Sequence, residues 1–327
     1  MAEHPALERV VERIRADVIG GAADTAKEVV SALAQVATDS SAPSTTALMS
    51  ELETAIDRIL SVLPSLAPPV NALHVIMARA ESLMEEGGTV RELKQALQEE
   101  AQAFLKRAED ALERVAQYGA EIIKDGDTIF TYSMSSTVWR VLRRAKAHGK
   151  NIEVVVTESR PANEGLWTVE EMEKADIPVS VSIDACVGVL VPTCSLVMVG
   201  ADAISATGHA LCKVGTYPTA LVAREHRIPF YIAADTLKFD TTTLLGLPFR
   251  VDPLTREQVL SGKTYEKTRV VGEHFDVTPP ELVTAIITER GLIHPASCFT
   301  VMERMGVSKR VSARLPAWAR REFGREG

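Results

Sequence analysis

The chain has 327 residues, 46% of them apolar, a formal net charge of -8 and a pI near 5.5. That length predicts two domains, or one large α/β domain with an appendage, and the acidic balance speaks against a nucleic-acid footprint. No apolar run approaches the roughly 18 to 20 residues of a membrane-crossing helix, and the N-terminus MAEHPALERVVERIRADVIGG is amphipathic and charged rather than a secretory signal, so a soluble, cytosolic protein without a nucleic-acid or membrane partner is expected.

Residues 5 to 120 read as helical. Val10, Val11, Ile14 and Val18 form one apolar stripe, Gly20-Gly21 breaks it, and Ala22 to Ala37 resumes a helix. Thr38 to Pro43 is a loop rich in capping residues. Helix follows with Leu52, Ile56, Ile59, Leu60 and Leu63 on one face. Pro64 to Pro69 is a cluster of breakers, Asn71 to Glu86 is helical, and Gly87-Gly88 is a turn. Thr89 to Gln117 is a long charged helix with Leu93, Leu97, Phe104, Leu105, Ala108, Leu112 and Val115 near heptad spacing, a stripe that reads as core. Residues 1–120 are therefore expected to form a helical N-terminal domain.

From Gly126 the texture changes, and residues 121–327 read as a Rossmann-like ligand-binding domain. Short β-branched runs alternate with helical segments, the pattern of a mainly parallel sheet with helical crossovers. The predicted strands are Thr128–Tyr132, Ile152–Thr157, Val179–Ile183, Leu196–Val199 and Phe230–Ala234. The predicted helices are Ser136–Ala147, Thr168–Ala175, Ala185–Val189 and Tyr217–His226. A Gly-rich polar loop with Gly208, His209, Lys213 and Gly215 follows the fourth strand. Arg269–Val271 is expected to extend the sheet, Leu282–Glu289 to be a helix, and the basic tail from Ser308 to be mobile.

Open α/β sheets bind ligands at the carboxyl ends of their strands, and polar groups collect at the predicted ends. Ser133-Met134-Ser135-Ser136 follows the first strand at a helix start, where exposed N–H groups and the helix dipole favour an anion; Ser135 and Ser136 serve equally well as an N-cap. Glu158-Ser159-Arg160 follows the second strand, with Glu158 and Arg160 also able to form a structural ion pair. Asp184, readable as a helix cap, follows the third, Asp202 the fourth, and Asp235 with Lys238 the fifth. Such a crevice suits a small, hydroxylated, phosphorylated ligand, with Arg160 and Lys213 on phosphate and Asp202 binding hydroxyls or moving a proton. His209 reads as a loop or core histidine or as a catalyst. The four cysteines, Cys186, Cys194, Cys212 and Cys298, form no CxxC pair and no His/Cys zinc spacing, so reduced and mainly buried thiols are expected. No GxSxG, Walker A or GxGxxG fingerprint is present.

At these residues the chain resembles one superfamily. GADAISATGHALCKVGT followed by ALVAREHRIPFYIAA, together with TESRPANEG and FDVTPPELVTAIITERG, is similar to the alpha, beta and delta subunits of translation initiation factor 2B, methylthioribose-1-phosphate isomerase and ribose-1,5-bisphosphate isomerase. The likeness is strong over about Gly126 to Gly291 and weaker through IGGAADTAKEVV and LPSLAPPVNALHVI. It implies an N-terminal helical domain, a Rossmann-like C-terminal domain, and a homodimer or larger homo-oligomer.

The superfamily's isomerases, as the resemblance implies, interconvert an aldose 1-phosphate and a ketose 1-phosphate with neither metal nor cofactor, using a cysteine after the first strand and the aspartate of G-A-D. The aspartate matches Asp202, but the cysteine position falls on Ser133. A hydroxyl has a far higher pKa than a thiol and serves proton transfer poorly without an adjacent base. The isomerases' arginines in R-G-A and R-P-T motifs are also missing. Ile19-Gly20-Gly21-Ala22 and Leu63-Pro64-Ser65 stand there, leaving Gly21 and Ala22 as substrate-binding positions beside Ser135, Ser136, Glu158, Arg160, His209, Lys213 and Lys238. The usual asparagine before the lysine is Cys212. Two expectations follow: a metal-independent isomerase of a phosphorylated pentose with an altered catalytic pair, Asp202 and Ser133, or a factor 2B-like regulatory subunit that binds a sugar phosphate or nucleotide without turnover.

Overall fold

A computed structural model describes residues 4–16, 21–64, 66–249 and 251–315. The chain folds as two compact units. One takes Met1–Asp110, Phe239–Arg250 and Val301–Gly327; the other takes Ala111–Lys238 and Val251–Thr300.

In chain order the elements are α1 (Pro5–Arg15), α2 (Ala22–Asp39), α3 (Thr45–Leu60), α4 (Ala67–Glu85), α5 (Val90–Ile122), β1 (Thr128–Thr131), α6 (Ser136–Ala147), β2 (Glu153–Thr157), α7 (Gly165–Lys174) and β3 (Val179–Ser182). They continue with α8 (Val187–Leu190), β4 (Leu196–Val199), β5 (Ala203–Ile204), β6 (Ala210–Lys213), α9 (Thr216–Glu225) and β7 (Phe230–Ala233). The last are α10 (Arg256–Leu260), β8 (Phe275–Thr278), β9 (Ala285–Thr288), β10 (Gly291–Ile293), α11 (Cys298–Met302) and α12 (Lys309–Ser312).

The helical unit packs the stripes that the periodicity marks. Leu33 of α2, Leu48, Met49, Leu52, Ile56 and Ile59 of α3, and Leu73 and Ile76 of α4 are fully buried. Each such side chain contributes roughly 1.5–3 kcal/mol relative to exposure. Ser44 caps α3, accepting from the Ala47 N–H at 3.2 Å. The prolines 68 and 69 do not break α4; they lie in its first turn, where the missing N–H groups have no helical partner to lose. Val18 of the first stripe, Ile19, Gly20 and Ser65 fall outside the described residues.

The tail from Ser308 is packed as far as it is described. Ser308, Val311 and Leu315 are fully buried. Glu81 of α4 accepts from the Ser308 hydroxyl at 2.8 Å and from the Arg310 and Lys309 N–H groups at 3.0 and 3.2 Å. Glu53 of α3 receives the guanidinium groups of Arg310 and Arg314. The mobile tail expected from Ser308 is thus corrected for residues 308–315, and residues 316–327 lie outside the described part.

The α/β unit is built on a seven-stranded sheet in the order β10-β9-β7-β4-β1-β2-β3. All neighbours are parallel except the antiparallel β9–β10 pair. Apolar residues of α6 (Val138, Val141, Leu142 and Ala145) share one core cluster with Ile129, Val154, Leu196 and Met198 of the sheet. The expected α/β class, a helical N-terminal region followed by a mainly parallel sheet with helices, is what the structure shows.

Three segments depart from the expectation. Leu282–Glu289 is not a helix: Ala285–Thr288 forms the buried strand β9, between β7 and β10, after a short turn at Pro280–Leu282. Arg269–Val271 is irregular, and the sheet is extended by β9 and β10 instead. The stretch from Gly200 to Gly215 is less a loop than a β5–β6 antiparallel pair, joined by β8 into a separate three-stranded sheet.

Candidate active site

The chain order of the main sheet sets the position of the site. From β1 the strands run outward to β2 and β3, then the chain returns to place β4 on the other side of β1. The carboxyl ends of β1 and β4 therefore flank a topological switch point, where open α/β sheets leave a crevice for a ligand. Ser133 follows β1 and Asp202 follows β4.

Ser133 is held from both sides. Its N–H donates to Ser159 Oγ at 2.8 Å, and Thr168 Oγ1 donates to its carbonyl at 2.8 Å. Trp139 Nε1 in turn donates to Thr168 Oγ1 at 2.9 Å. Ser159 and Thr168 are fully buried, and Ser133 has φ 63°, a left-handed conformation uncommon outside glycine. Strained backbone of this kind persists where its surroundings over-determine it, and it clusters at functional sites.

Its hydroxyl donates to Oε2 of Glu164. The other carboxylate oxygen of Glu164 pairs with Lys213 Nζ at 2.7 Å, both side chains being largely covered, at 16% and 12% exposure. Gly165 explains how Glu164 reaches this place. A Cβ there would stand 1.8 Å from the Thr157 carbonyl, so only glycine lets the start of α7 close onto the end of β2. Lys213, at the end of β6, also lies over the Phe275 ring, 5.5 Å from its centre.

Asp202 feels the same charges. Burial pushes its carboxyl up, Lys238 and Lys213 pull it back, and Glu164 pushes it up again, leaving it above the ordinary range. Asp235 behaves alike: burial raises it, Lys238 opposes, and Glu289 adds to the rise. Glu164, Lys213, Asp202 and Lys238 thus form one electrostatic group at the switch point, with the Ser133 hydroxyl bonded to Glu164. Glu164 is the member that sequence reasoning missed, although it stands in the TESRPANEG segment beside a glycine that opens a helix.

The remaining expected residues are placed differently. Ser135 is the N-cap of α6, accepting from the Val138 N–H at 3.3 Å, and Ser136 is exposed. Gly200 lets Ser135 approach, since a Cβ there would meet Ser135 Oγ at 2.5 Å. Glu158 and Arg160 form no ion pair; the exposed Arg160 donates to the Gln258 carbonyl at 3.4 Å. Asp184 does not cap the following helix. It accepts from the Ser159 and Arg160 N–H groups, each at 2.8 Å, and so shapes the loop that carries Ser133's partner. His209 shares a hydrogen bond of 3.0 Å with Thr207 within its own turn. Gly21 and Ala22 belong to the helical unit, where Gly21, with φ 120°, precedes α2.

The free N–H groups at the start of α9 are taken by the protein's own Asp276. Asp276 Oδ2 accepts from the Gly215 and Tyr217 N–H groups at 2.7 and 3.0 Å. Its Oδ1 is buried without a partner, and burial pushes the carboxyl up to about 6 despite those donors. The cysteines are free thiols, with Cys194, Cys212 and Cys298 buried. Burial raises the Cys212 thiol well above its usual range, so it is no ready thiolate for this site. No group of three or more His, Cys, Asp or Glu suited to a metal occurs among the described residues, and no described helix is long and apolar enough to cross a membrane.

A helical region followed by an open, mainly parallel sheet with polar groups at its switch point defines an α/β protein of the open-sheet class. The chain belongs to the initiation factor 2 subunit family, whose pattern matches residues 18–295. It is 34% identical to the ribose 1,5-bisphosphate isomerase of Thermococcus kodakarensis over 297 residues, 90% of this chain and 92% of that protein. The crystal structure of translation initiation factor eIF-2B from Pyrococcus horikoshii OT3 superimposes with TM-score 0.75 at 32% identity, covering 90% of this chain and 98% of that one. That of 5-methylthioribose 1-phosphate isomerase from the same organism superimposes with TM-score 0.69 at 25% identity, covering 95% and 87%.

Proposed function

We propose that the chain is a metal-independent aldose–ketose isomerase of a phosphorylated pentose, with ribose 1,5-bisphosphate the first substrate to test. The observation that carries this is the group at the β1–β4 switch point: Ser133 and Asp202 follow adjacent parallel strands, Ser133 bonds Glu164, and Glu164 and its partner Lys213 both act on the Asp202 carboxyl. The isomerase relative supports the substrate class.

The reaction needs no external oxidant or reductant. In converting an aldose 1-phosphate to its ketose 1-phosphate, the C1–O4 bond breaks and O4 gains a proton. The C2 hydroxyl loses a proton to become a carbonyl, and the C2 hydrogen moves with its electron pair to C1. Asp202, its carboxyl raised by burial, is suited to deliver the proton to O4. In this reading Lys213 and Arg160 are the phosphate ligands, and Ser135, Ser136, Glu158, His209 and Lys238 are the further substrate contacts to test. The reading carries with it a homodimer or larger homo-oligomer in the cytosol.

A second reading, a factor 2B-like subunit that binds a sugar phosphate or nucleotide without turnover, is favoured by one observation: a hydroxyl whose proton is already engaged by Glu164 stands where the isomerases carry a thiol. A thermal-shift screen with ribose 1,5-bisphosphate, methylthioribose 1-phosphate and nucleoside monophosphates, followed by NMR of each hit, separates the two. Conversion that Asp202→Asn removes supports the enzyme. Binding without conversion, unchanged in Asp202→Asn, supports the binder.

A further inference from the structure

We infer that Glu164 is the base behind Ser133: it takes the hydroxyl proton, so that Ser133 relays a proton from the substrate's C2 hydroxyl without needing thiol chemistry. The inference rests on the isomerase reading and assigns a role to a residue outside the Asp202–Ser133 pair.

A serine hydroxyl is a weak proton-transfer group unless a base stands within hydrogen-bond reach and a third group orients that base. All three parts are present. The hydroxyl of Ser133 donates to Glu164 Oε2, and Lys213 Nζ holds the opposite oxygen at 2.7 Å, fixing the plane of the carboxylate. The Ser159 and Thr168 hydroxyls lock the Ser133 backbone at 2.8 Å each, so its Oγ has a set direction. Gly165 anchors the other end by letting α7 begin against the Thr157 carbonyl.

The step balances. Ser133 Oγ accepts the proton of the C2 hydroxyl as its own proton passes to Glu164 Oε2, and C2 becomes a carbonyl. The C2 hydrogen carries its electron pair to C1, the C1–O4 bond breaks with its pair on O4, and Asp202 protonates O4. The substrate loses one proton and gains one. Glu164 ends protonated and Asp202 ionised, and exchange with water restores both.

The test is a double-mutant cycle on the full chain with ribose 1,5-bisphosphate, comparing Glu164→Gln in the natural background and in Ser133→Cys. A thiol needs no strong base, so the two substitutions should not add. In the natural background Glu164→Gln should lower kcat about 10²- to 10⁴-fold, the range of a lost acid–base group, with KM changed less than about threefold, below one lost hydrogen bond. In Ser133→Cys the same change should lower kcat less than about tenfold, because the thiol is intrinsically the better proton-transfer group. If Glu164→Gln does not fold, Glu164→Asp carries the same cycle: it keeps a charge for Lys213 and withdraws the carboxylate by one methylene. Equal losses in both backgrounds, or a change in KM alone, overturn the relay while leaving the isomerase reading in place. A natural chain that binds the sugar and converts none overturns both.

Discussion

Two groups of carboxylates, one in each unit, handle charge in opposite ways. In the helical unit Glu53 faces two guanidinium groups, and although burial works against it, Arg310 and Arg314 hold it below its usual range. Glu81 is likewise surrounded by donors from Ser308, Lys309 and Arg310. In the α/β unit Asp202 and Asp235 share Lys238, Glu164 competes for Lys213, and both aspartates are left above their range. The first group spends its charge on docking the 308–315 segment. The second stores an electrostatic deficit at a strand end, a cost tolerated where activity requires it.

Substitutions should therefore separate stability from activity. The largest effect is expected for Asp202→Asn, which should cut turnover about 10²- to 10⁴-fold while leaving Tm unchanged or raised, because a buried carboxyl is removed; NMR turnover and calorimetry read the two together. Loss of Tm with turnover retained would erase the contrast.

His74 comes next, through pH. Burial lowers it from 6.5 to about 4, against the pull of Glu81, and its Nδ1 accepts from the Ser308 N–H at 3.1 Å. The folded state keeps the ring neutral while the unfolded chain takes up a proton. Its contribution is thus full above pH 6.5 and is lost as pH falls towards about 4, some 3 kcal/mol in all at 1.4 kcal/mol per pH unit. Urea unfolding across that window should show the slope in the natural chain relative to His74→Gln. Asp276 has the opposite sign: its folded pKa is raised from 3.8 to about 6, so its contribution is present below 3.8 and is lost as pH rises through about 6. Asp276→Asn should remove that opposing slope.

Glu53→Ala should cost about 1–3 kcal/mol, the range for removing a carboxylate that accepts from partly buried charged donors, with kcat unchanged; Arg314 keeps Asp57 at 2.8 Å. A fall in kcat would show that the helical unit's charges also serve the chemistry. The smallest effect is expected at the exposed Arg160. Arg160→Ala should raise KM about tenfold through a lost charge-assisted contact to phosphate, with kcat and Tm preserved.

Much of this was legible in the sequence, and for physical reasons. β4 and α6 agree with their expected spans because a four-residue apolar run bounded by Gly200 and an amphipathic segment capped by Ser135 each specify one local structure. β9 did not, because AIIT is a short buried run whose periodicity does not distinguish helix from strand, and only pairing with β7 decides it. β5 was too short to register. Strand ends marked the Ser133–Ser136 segment and Asp202, and the family resemblance paired Ser133 with Asp202. Glu164 required knowing that α7 folds back onto β1, a contact across 31 residues that no local pattern encodes.

The central claim is that the switch-point group turns over a phosphorylated pentose. The direct measurement is ¹³C NMR of ribose 1,5-bisphosphate labelled at C2, incubated with the natural chain and with Asp202→Asn. The account predicts a C2 signal that moves to a ketone carbonyl with the natural chain and stays in place with Asp202→Asn. Saturable binding by both proteins, with the C2 signal unmoved in either, would contradict it.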